Sequence, residues 1–587
     1  VSVMAAVYPL PVTQDLPMLR TKLQSLSRFL KDALTISNAH TVDFYTECVW
    51  KRVVDLSPET VLAALKPAAE ARPLVEAEKG SGTDFPKIFC ETSQRLVNVE
   101  AFALAAKRCS VQNLGICTPL EQLLIALRGN KKQRTDNNLK PHEFMNVKKS
   151  HEVQAMSELI SSIADYYGVK QVRVLLPLFL SLSMATCLWM ILNSNTHGAR
   201  SGQELKKRWK LHRTQSRVDV SGLALKMAKE KKVQNEMKYK ADTETLYSNS
   251  SAKQEKISTS GFLQDFSGPV ISDIRIQIEN LHTQPYEEEN VCFMNAFSLI
   301  DFLPIDAIEP ISSLQIPNRE MSEANKERRK MVSQSSESNI YSPLTSFITA
   351  DSELHDIIKD LEDCVMVGLH TCGDLAPNTL RIFTSNSEIK GVCSVGCCYH
   401  LLSEEFENEH KECTEEKWGF PMCQYLKEER WCCGHNARMS ACLALERVAV
   451  GQGLSTESLF YRAVLQDIIK DCYGITKCEH VGKIYSKCSS FLDYVRKSLK
   501  KLGLDETQLP EKTIMDYYEK YKPRMNELEA FNMLKVVLAP CVETLILLDR
   551  LCYLKEQEDV AWSALVKLFD PVKSPRCYAL IALKKQQ

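Results

Sequence analysis

Two short stretches bring together side chains that can move protons or attack electrophiles. They are HTCGD, residues 370–374, and CCYH, residues 397–400. A thiol of Cys397 or Cys398 becomes a nucleophile if His370 or His400 lowers its pKa. Tyr399 offers a ring that could stack on adenine or on a flipped-out base. Gly373 permits a tight turn that would let Thr371, Cys372 and Asp374 line a cleft. The same residues have plain structural uses, with Asp374 capping a helix ahead of Pro377 and Cys372 as a packed thiol. Ten cysteines fall between Cys364 and Cys442, and CCGH at 432–435 adds a Cys/His pair. Four soft ligands drawn from GCCYH and WCCGH could hold zinc. No paired C-x-x-C spacing supports it, so reduced, buried thiols are the expected state and no metal is the first choice.

The elements around these stretches must place them. SFITA, SELHDIIKDL, CVMVGLH, PNTLRIF and GVCSVGC alternate as strand, helix, strand, helix, strand. Short apolar strands separated by amphipathic helices predict a parallel sheet covered on both faces. In such sheets ligands sit outside the carboxyl ends of the strands, which is where HTCGDL and CCYHLL fall. Asp351, after SFITA, could cap an adenine there or cap the following helix. Upstream, Val153, Met156, Ile160, Ile163 and Tyr167 keep a 3-4-3-4 spacing and predict a helix over 151–167, ended by Gly168. The stretch from Val174 to Leu192 then carries no charge.

Nineteen residues as a helix would reach roughly 28 Å, close to a bilayer core. Against a membrane span stand Pro177 in the first turn, Ser181, Ser183 and Thr186 in the middle, and basic residues on both flanks. Two buried strands, near VRVLLPLFL and TCLWMIL, fit better, and no membrane partner is expected. The whole chain, with 587 residues, 25% charged residues and a formal net charge of -1, has ordinary multidomain composition and no global attraction to nucleic acid. No leader is evident before Arg20, so its 22 cysteines are expected to be reduced, in the cytoplasm or nucleus. A basic patch, KKRWKLHR at 206–213, could touch phosphate or simply form a solvated helix face.

KKSHEVQAMSELI, SNTHGA, VGLHTCGDLAPNTL, VGCCYHLL and ETLILLDRLCYL together resemble the methyltransferase-like protein 25 family of S-adenosylmethionine-dependent methyltransferases. The resemblance covers nearly the whole chain. It implies a Rossmann-like methyltransferase fold, an α/β doubly wound sheet; helical periodicity and a Ser-, Asn- and Lys-rich composition add an N-terminal helical domain, a long disordered insertion and a helix-rich C-terminal part. The corresponding boundaries are 1–140 for the helical domain, 141–229 and 343–433 for the two halves of the methyltransferase domain, and 230–342 for the insertion. The region 434–587 is expected to be helical and to return a final strand to the sheet, with Pro540 kinking its longest helix. By resemblance, S-adenosyl-L-methionine would be bound through His151, Glu152, Asn195, Thr196, His197, Asp351, His370, Thr371, Cys372, Gly373 and Asp374. Chemistry would fall to His370, Cys397, Cys398, Tyr399 and His400, with RNA or protein as methyl acceptor.

One part of the pattern is missing. The family's first strand should run into a glycine-rich loop, and a second-strand acid should take the ribose hydroxyls. Between Asp165 and Glu204 there is no Asp or Glu, and between Gly168 and Gly198 there is no glycine. Ile191, Leu192 and Asn193 stand where the acid belongs. The expectation is that S-adenosylmethionine binds this chain very weakly or not at all. A non-catalytic scaffold of the same fold and a zinc-stabilised nucleic-acid-binding module are the competing functions.

Overall fold

Two nine-residue apolar runs, CVMVGLHTC and IKGVCSVGC, form the middle of a six-stranded sheet in the computed structural model. The strands are β1 (Cys117–Thr118), β2 (Gln171–Leu175), β3 (Cys364–Cys372), β4 (Ile389–Cys397), β5 (Val560–Lys567) and β6 (Tyr578–Lys584). Their order is β1-β5-β6-β4-β3-β2. β2, β3 and β4 are mutually parallel, β1 is parallel to β5, and β6 runs antiparallel to both β4 and β5. The structure describes residues 9–69, 87–129, 147–169, 171–175, 349, 351–358, 361–407, 417–443, 445–449, 456–476, 481 and 484–586. All of them fall in one compact unit built from 1–199 and 296–587. The expected insertion at 230–342, the SFITA strand apart from Thr349, the basic patch at 206–213 and residues 176–198 lie outside the described residues.

The α/β architecture follows from where the apolar residues sit. β3 and β4 are buried along almost their full length, as strands covered on both faces must be. Helices α1 (Leu16–Asn38), α2 (Val147–Tyr167), α3 (Leu375–Ser385), α4 (His435–Ser440) and α5 (Met525–Lys555) frame the site. The α2 stripe of Val153, Met156, Ile160 and Ile163 is fully buried. A Cβ on Gly391 of β4 would lie 3.1 Å from Ile163 Cγ2, so the glycine lets helix and strand approach closely. Gly168, at φ +67°, closes the helix as its sequence position predicts.

Four local expectations change. The helix expected over SELHDIIKDL shortens to Leu354–Ile357. The helix expected through NARMSACLALERVAV breaks into α4 and Leu445–Ala449. At that break Arg576 donates to the carbonyls of Ala441 at 2.7 Å and Leu443 at 3.4 Å, satisfying groups that a continuing helix would have used. VAWSALVK, not read as a strand from sequence, becomes β5. A two-residue edge strand, β1, comes from the N-terminal region.

α5 is buried nearly all round and runs unbroken through Pro540. The helical stretch Glu511–Lys555 is the one among the described residues long and apolar enough to cross a membrane, yet 83% of its apolar window is buried inside the protein. That is the signature of a core helix. The N-terminal segment wraps onto it. Lys535 Nζ donates to Ala39 O at 2.9 Å, Lys555 Nζ to Thr13 Oγ1 at 2.6 Å, and Trp562 Nε1 to Pro11 O at 2.8 Å. Asn38, the last residue of α1, accepts from Ala437 N at 3.0 Å and so caps α4 from a distant part of the chain.

The last described strand is therefore central, not peripheral. Deleting residues 578–587 removes the partner of both β4 and β5. The expected outcome is loss of the cooperative thermal transition followed by circular dichroism, with rapid cleavage in limited proteolysis. A truncated chain that unfolds cooperatively at the full-length temperature contradicts this topology.

Candidate functional site

Register creates the site. β4 carries an extra residue, Lys390, between Cys364↔Ile389 and Val365↔Gly391; the strands then pair in step through Leu369↔Val395, and β3 inserts one extra residue, His370, before pairing resumes at Thr371↔Gly396 and Cys372↔Cys397. His370 sits at φ +58°, a left-handed conformation unusual for a non-glycine residue. A bulge of this kind re-aims a side chain. Here it turns the imidazole toward α2, where His370 Nε2 lies 3.2 Å from Glu152 Oε2.

Glu152 is fully buried. Its other oxygen accepts from Ser574 Oγ at 2.6 Å, and Lys148 Nζ stands 3.7 Å away. Burial pushes this carboxyl up, but the bond and charge of His370, with Lys148 and Ser574, outweigh it and hold the group at about 2. The Glu152 carboxylate thereby fixes the orientation of the His370 ring through one of its nitrogens.

The resumed register sets three thiols together. Cys372 Sγ lies 2.9 Å from Cys397 Sγ and 3.3 Å from Cys398 Sγ, and the last two sulfurs are 3.6 Å apart. Bonds from Cys372 and Cys397, aided by His400 and His370, draw the Cys398 thiol well below its ordinary value. The same thiol contacts with Cys372 and Cys398, together with burial, push Cys397 up. Cys398 has φ +41°, a second non-glycine residue in the left-handed region beside the site.

The loops after β3 and β4 are locked to each other. Gly373 has φ +53°, and a Cβ there would meet Leu401 O at 2.6 Å. Asp374 stands at the start of α3 but makes no side-chain cap; its Oδ1 accepts from Ser403 N at 2.9 Å. Buried Arg438 donates to the carbonyls of His400, at 3.1 Å, and of Leu402, and pairs with Glu404 and Glu407. Glu404 also accepts from the backbone of Cys433 and Gly434, both at 2.9 Å, and from Cys432 Sγ. WCCGH is thus organised around a carboxylate, and its cysteines do not join those of GCCYH. Arg438, Glu404, Glu543 and Arg576 were not expected from sequence; the usable signal was a charge set inside an otherwise apolar run.

Several expected roles are corrected by placement. Tyr399 is 1% exposed, donates to Glu543 Oε1 at 2.9 Å and has the guanidiniums of Arg550 and Arg576 at 5.9 and 5.6 Å from its ring centroid. Its ring has no free face for a base. Burial and the Glu543 charge raise its hydroxyl far above the ordinary value, so it stays protonated. Thr371 is buried and donates to Val395 O at 3.1 Å, pointing into the sheet. His151 Nε2 accepts from Asp570 N at 2.9 Å, and burial lowers its pKa. Asp351 is exposed and pairs with Lys417. His400 is buried, which lowers its pKa; its Nδ1 lies 3.8 Å from Cys442 Sγ. Asn195, Thr196 and His197 lie outside the described residues.

The chain is 78% identical to human "Probable methyltransferase-like protein 25" and 68% identical to its mouse counterpart. The human alignment covers all of both chains, and the mouse alignment 99% of each. The chain belongs to the methyltransferase-like protein 25 family. A methyltransferase-domain family model matches residues 211–405, beginning beyond the uncharged stretch and ending just past CCYHLL. No solved structure matches. The described residues that the family resemblance assigned to the cofactor fit it poorly. Glu152, His151, Thr371, Asp351 and Asp374 each hold at least one polar atom against a protein partner, and the Gly373 turn is filled by the Leu401 carbonyl.

Two measurements test this geometry. Because the folded Glu152 carboxyl holds its proton less tightly than an unfolded one, its contribution is fully present above about pH 4.5 and is lost as pH falls toward 2. Acid unfolding of the wild type should show a loss of about 3 kcal/mol across that window that is absent from Glu152→Gln, which should be less stable at pH 7. An unchanged acid profile for the variant rejects the assignment. Gly373→Ala should cost more than Gly115→Ala, because both have positive φ but only Gly373 meets backbone. Strain alone accounts for about 1–3 kcal/mol in each; equal shifts in chemical denaturation would discount the collision.

Proposed function

We propose that this chain carries the architecture of an S-adenosylmethionine-dependent methyltransferase for an RNA or protein acceptor, with its grip on the cofactor reduced to very weak or none. The observation that carries the reading is chemical: the segment between Asp165 and Glu204 supplies no carboxylate, and 169–197 supplies no glycine. The 78% and 68% identity to the human and mouse relatives, over nearly the full length of each chain, supports the methyltransferase part. The protein partners of Glu152, His151, Asp351 and Asp374 support the loss of grip, since each already holds a polar contact that a ribose or a methionine end would have to displace or share. The free thiols throughout the described residues favour the reducing cytoplasm or nucleus.

Losing the ribose carboxylate alone removes a charge-assisted pair of hydrogen bonds worth on the order of 2–3 kcal/mol, roughly 30- to 150-fold in affinity. Side chains in place of glycines exclude the cofactor sterically as well. A chain that does not load the cofactor keeps the fold as a binding scaffold. The test is isothermal titration calorimetry of S-adenosylmethionine into the full chain, beside a chain whose residues 173–193 are replaced by those of the human relative. The expected result is no micromolar binding by the first and micromolar binding by the second. Micromolar affinity in the unaltered chain overturns the proposal.

A further inference from the structure

We propose that Cys372, Cys397 and Cys398 form a three-thiolate zinc site at the carboxyl ends of β3 and β4, with the fourth coordination position left to a ligand from solution. This goes beyond methyl transfer and does not depend on it.

The case begins with the backbone. Cys372 and Cys397 are cross-strand partners because the His370 bulge reverses the one-residue shift set at Cys364/Val365. Without it, a different β3 side chain would face Cys397. Cys398 then takes a left-handed conformation, φ +41°, in a residue type that rarely adopts it, and its sulfur comes within 3.3 Å of Cys372 and 3.6 Å of Cys397. Such strain persists only where surrounding structure holds it. The holding groups are present. Arg438 takes the carbonyls of His400 and Leu402, and Asp374 takes Ser403 N, so the chain just after Cys398 is pinned.

Thiol–thiol hydrogen bonds are weak and do not by themselves justify strained convergence of three sulfurs. Zinc does. Tetrahedral zinc with Zn–S bonds of about 2.3 Å sets its sulfurs about 3.8 Å apart. The three separations here, 2.9, 3.3 and 3.6 Å, need an opening of less than about 1 Å, within reach of small side-chain rotations. An all-sulfur donor set selects a soft cation over magnesium or calcium. Cys372 and Cys398 are only partly buried, which gives the ion a path in. On binding, each thiol releases its proton to solvent as its sulfur bonds the metal.

Among the described residues no further His, Cys, Asp or Glu donor falls in the same tight cluster. Cys442 and His400, the nearby soft donors, face each other at 3.8 Å. Among the described residues the fourth position is thus left to water or another small ligand, as in zinc sites that keep one place open.

The test uses untagged full-length chain, purified under reducing conditions without chelator after zinc-supplemented expression. Elemental analysis should find about one zinc per chain. X-ray absorption at the zinc edge should show three sulfurs near about 2.3 Å and one lighter donor. The triple variant Cys372→Ser, Cys397→Ser, Cys398→Ser should lose at least about tenfold in zinc content. Thermal unfolding checks its fold; if it fails to fold, the wild-type metal content and spectrum decide alone. Less than about a tenth of an equivalent in the wild type, four sulfurs around the metal, or zinc retained by the folded triple variant each overturns the site. So does a Cys372–Cys397 disulfide found by mass spectrometry in place of metal.

Discussion

A single inserted residue in β3 governs the geometry at the end of the sheet. His370 occupies a place that its partner strand does not match, so everything after it is shifted by one. Side chains alternate across a strand, and a one-residue shift exchanges the faces. The shift brings Cys372 beside Cys397, turns Thr371 into the sheet and sends the imidazole of His370 out to Glu152. The Glu152 carboxylate in turn ties α2 to the segment between β5 and β6 through Ser574. Three regions distant in sequence meet at one bulge.

Buried charge then holds the loops that the bulge creates. Glu543 on α5 accepts from both Tyr399 and Arg576, each at 2.9 Å. Arg576 continues to the broken end of α4, and Arg438 on α4 continues to the loop after Cys398. Asp549, one turn and a half further along α5, accepts from the backbone of Met422 and Cys423, although burial raises its pKa to about 6. Buried ion pairs add little net stability compared with apolar packing, because desolvation offsets their attraction. Their effect here is geometric. Each charged group has few places where its hydrogen bonds can be satisfied, so each allows few loop conformations. The polar residues inside the apolar α5 thus determine where the chain after β4 lies.

What was legible in the sequence was local. The 3-4-3-4 spacing over 151–167, the runs CVMVGLH and GVCSVGC and the closing RCYALIALKK each carry their own pattern, and each forms the predicted element. HTCGD and CCYH were correctly placed at strand ends because the loop position follows from the strand. The misses were non-local. VAWSALVK follows a long helix and lacks clean alternation, so its strand state depends on β1 and β6 as neighbours. Tyr399 looked available for stacking because nothing nearby in sequence reveals Arg550, Arg576 or Glu543. Asp374 occupies the cap position its pattern predicts, yet a backbone N–H from the next loop takes its carboxylate instead. The thiol cluster was missed for the same reason. Its members are 25 and 26 residues apart, and only a register shift invisible to composition joins them.

The order of the strands also bears on how the chain can hold its fold while lacking the family's cofactor groups. In the described sheet, β2 is the terminal strand, paired only with β3, whereas β3, β4, β5 and β6 each have two partners. The deviating stretch begins within β2 at Arg173, and its residues after Leu175 lie outside the described residues. Apolar burial, the dominant favourable term, is concentrated in the core formed by α1, α5 and the inner strands and needs nothing from the glycine loop. The carboxyl-end loops are likewise fixed by Glu152, Arg438 and Glu543, all outside the deviating stretch. Cofactor grip and site scaffold therefore rest on different residues, and changing the first leaves the interactions that hold the second in place.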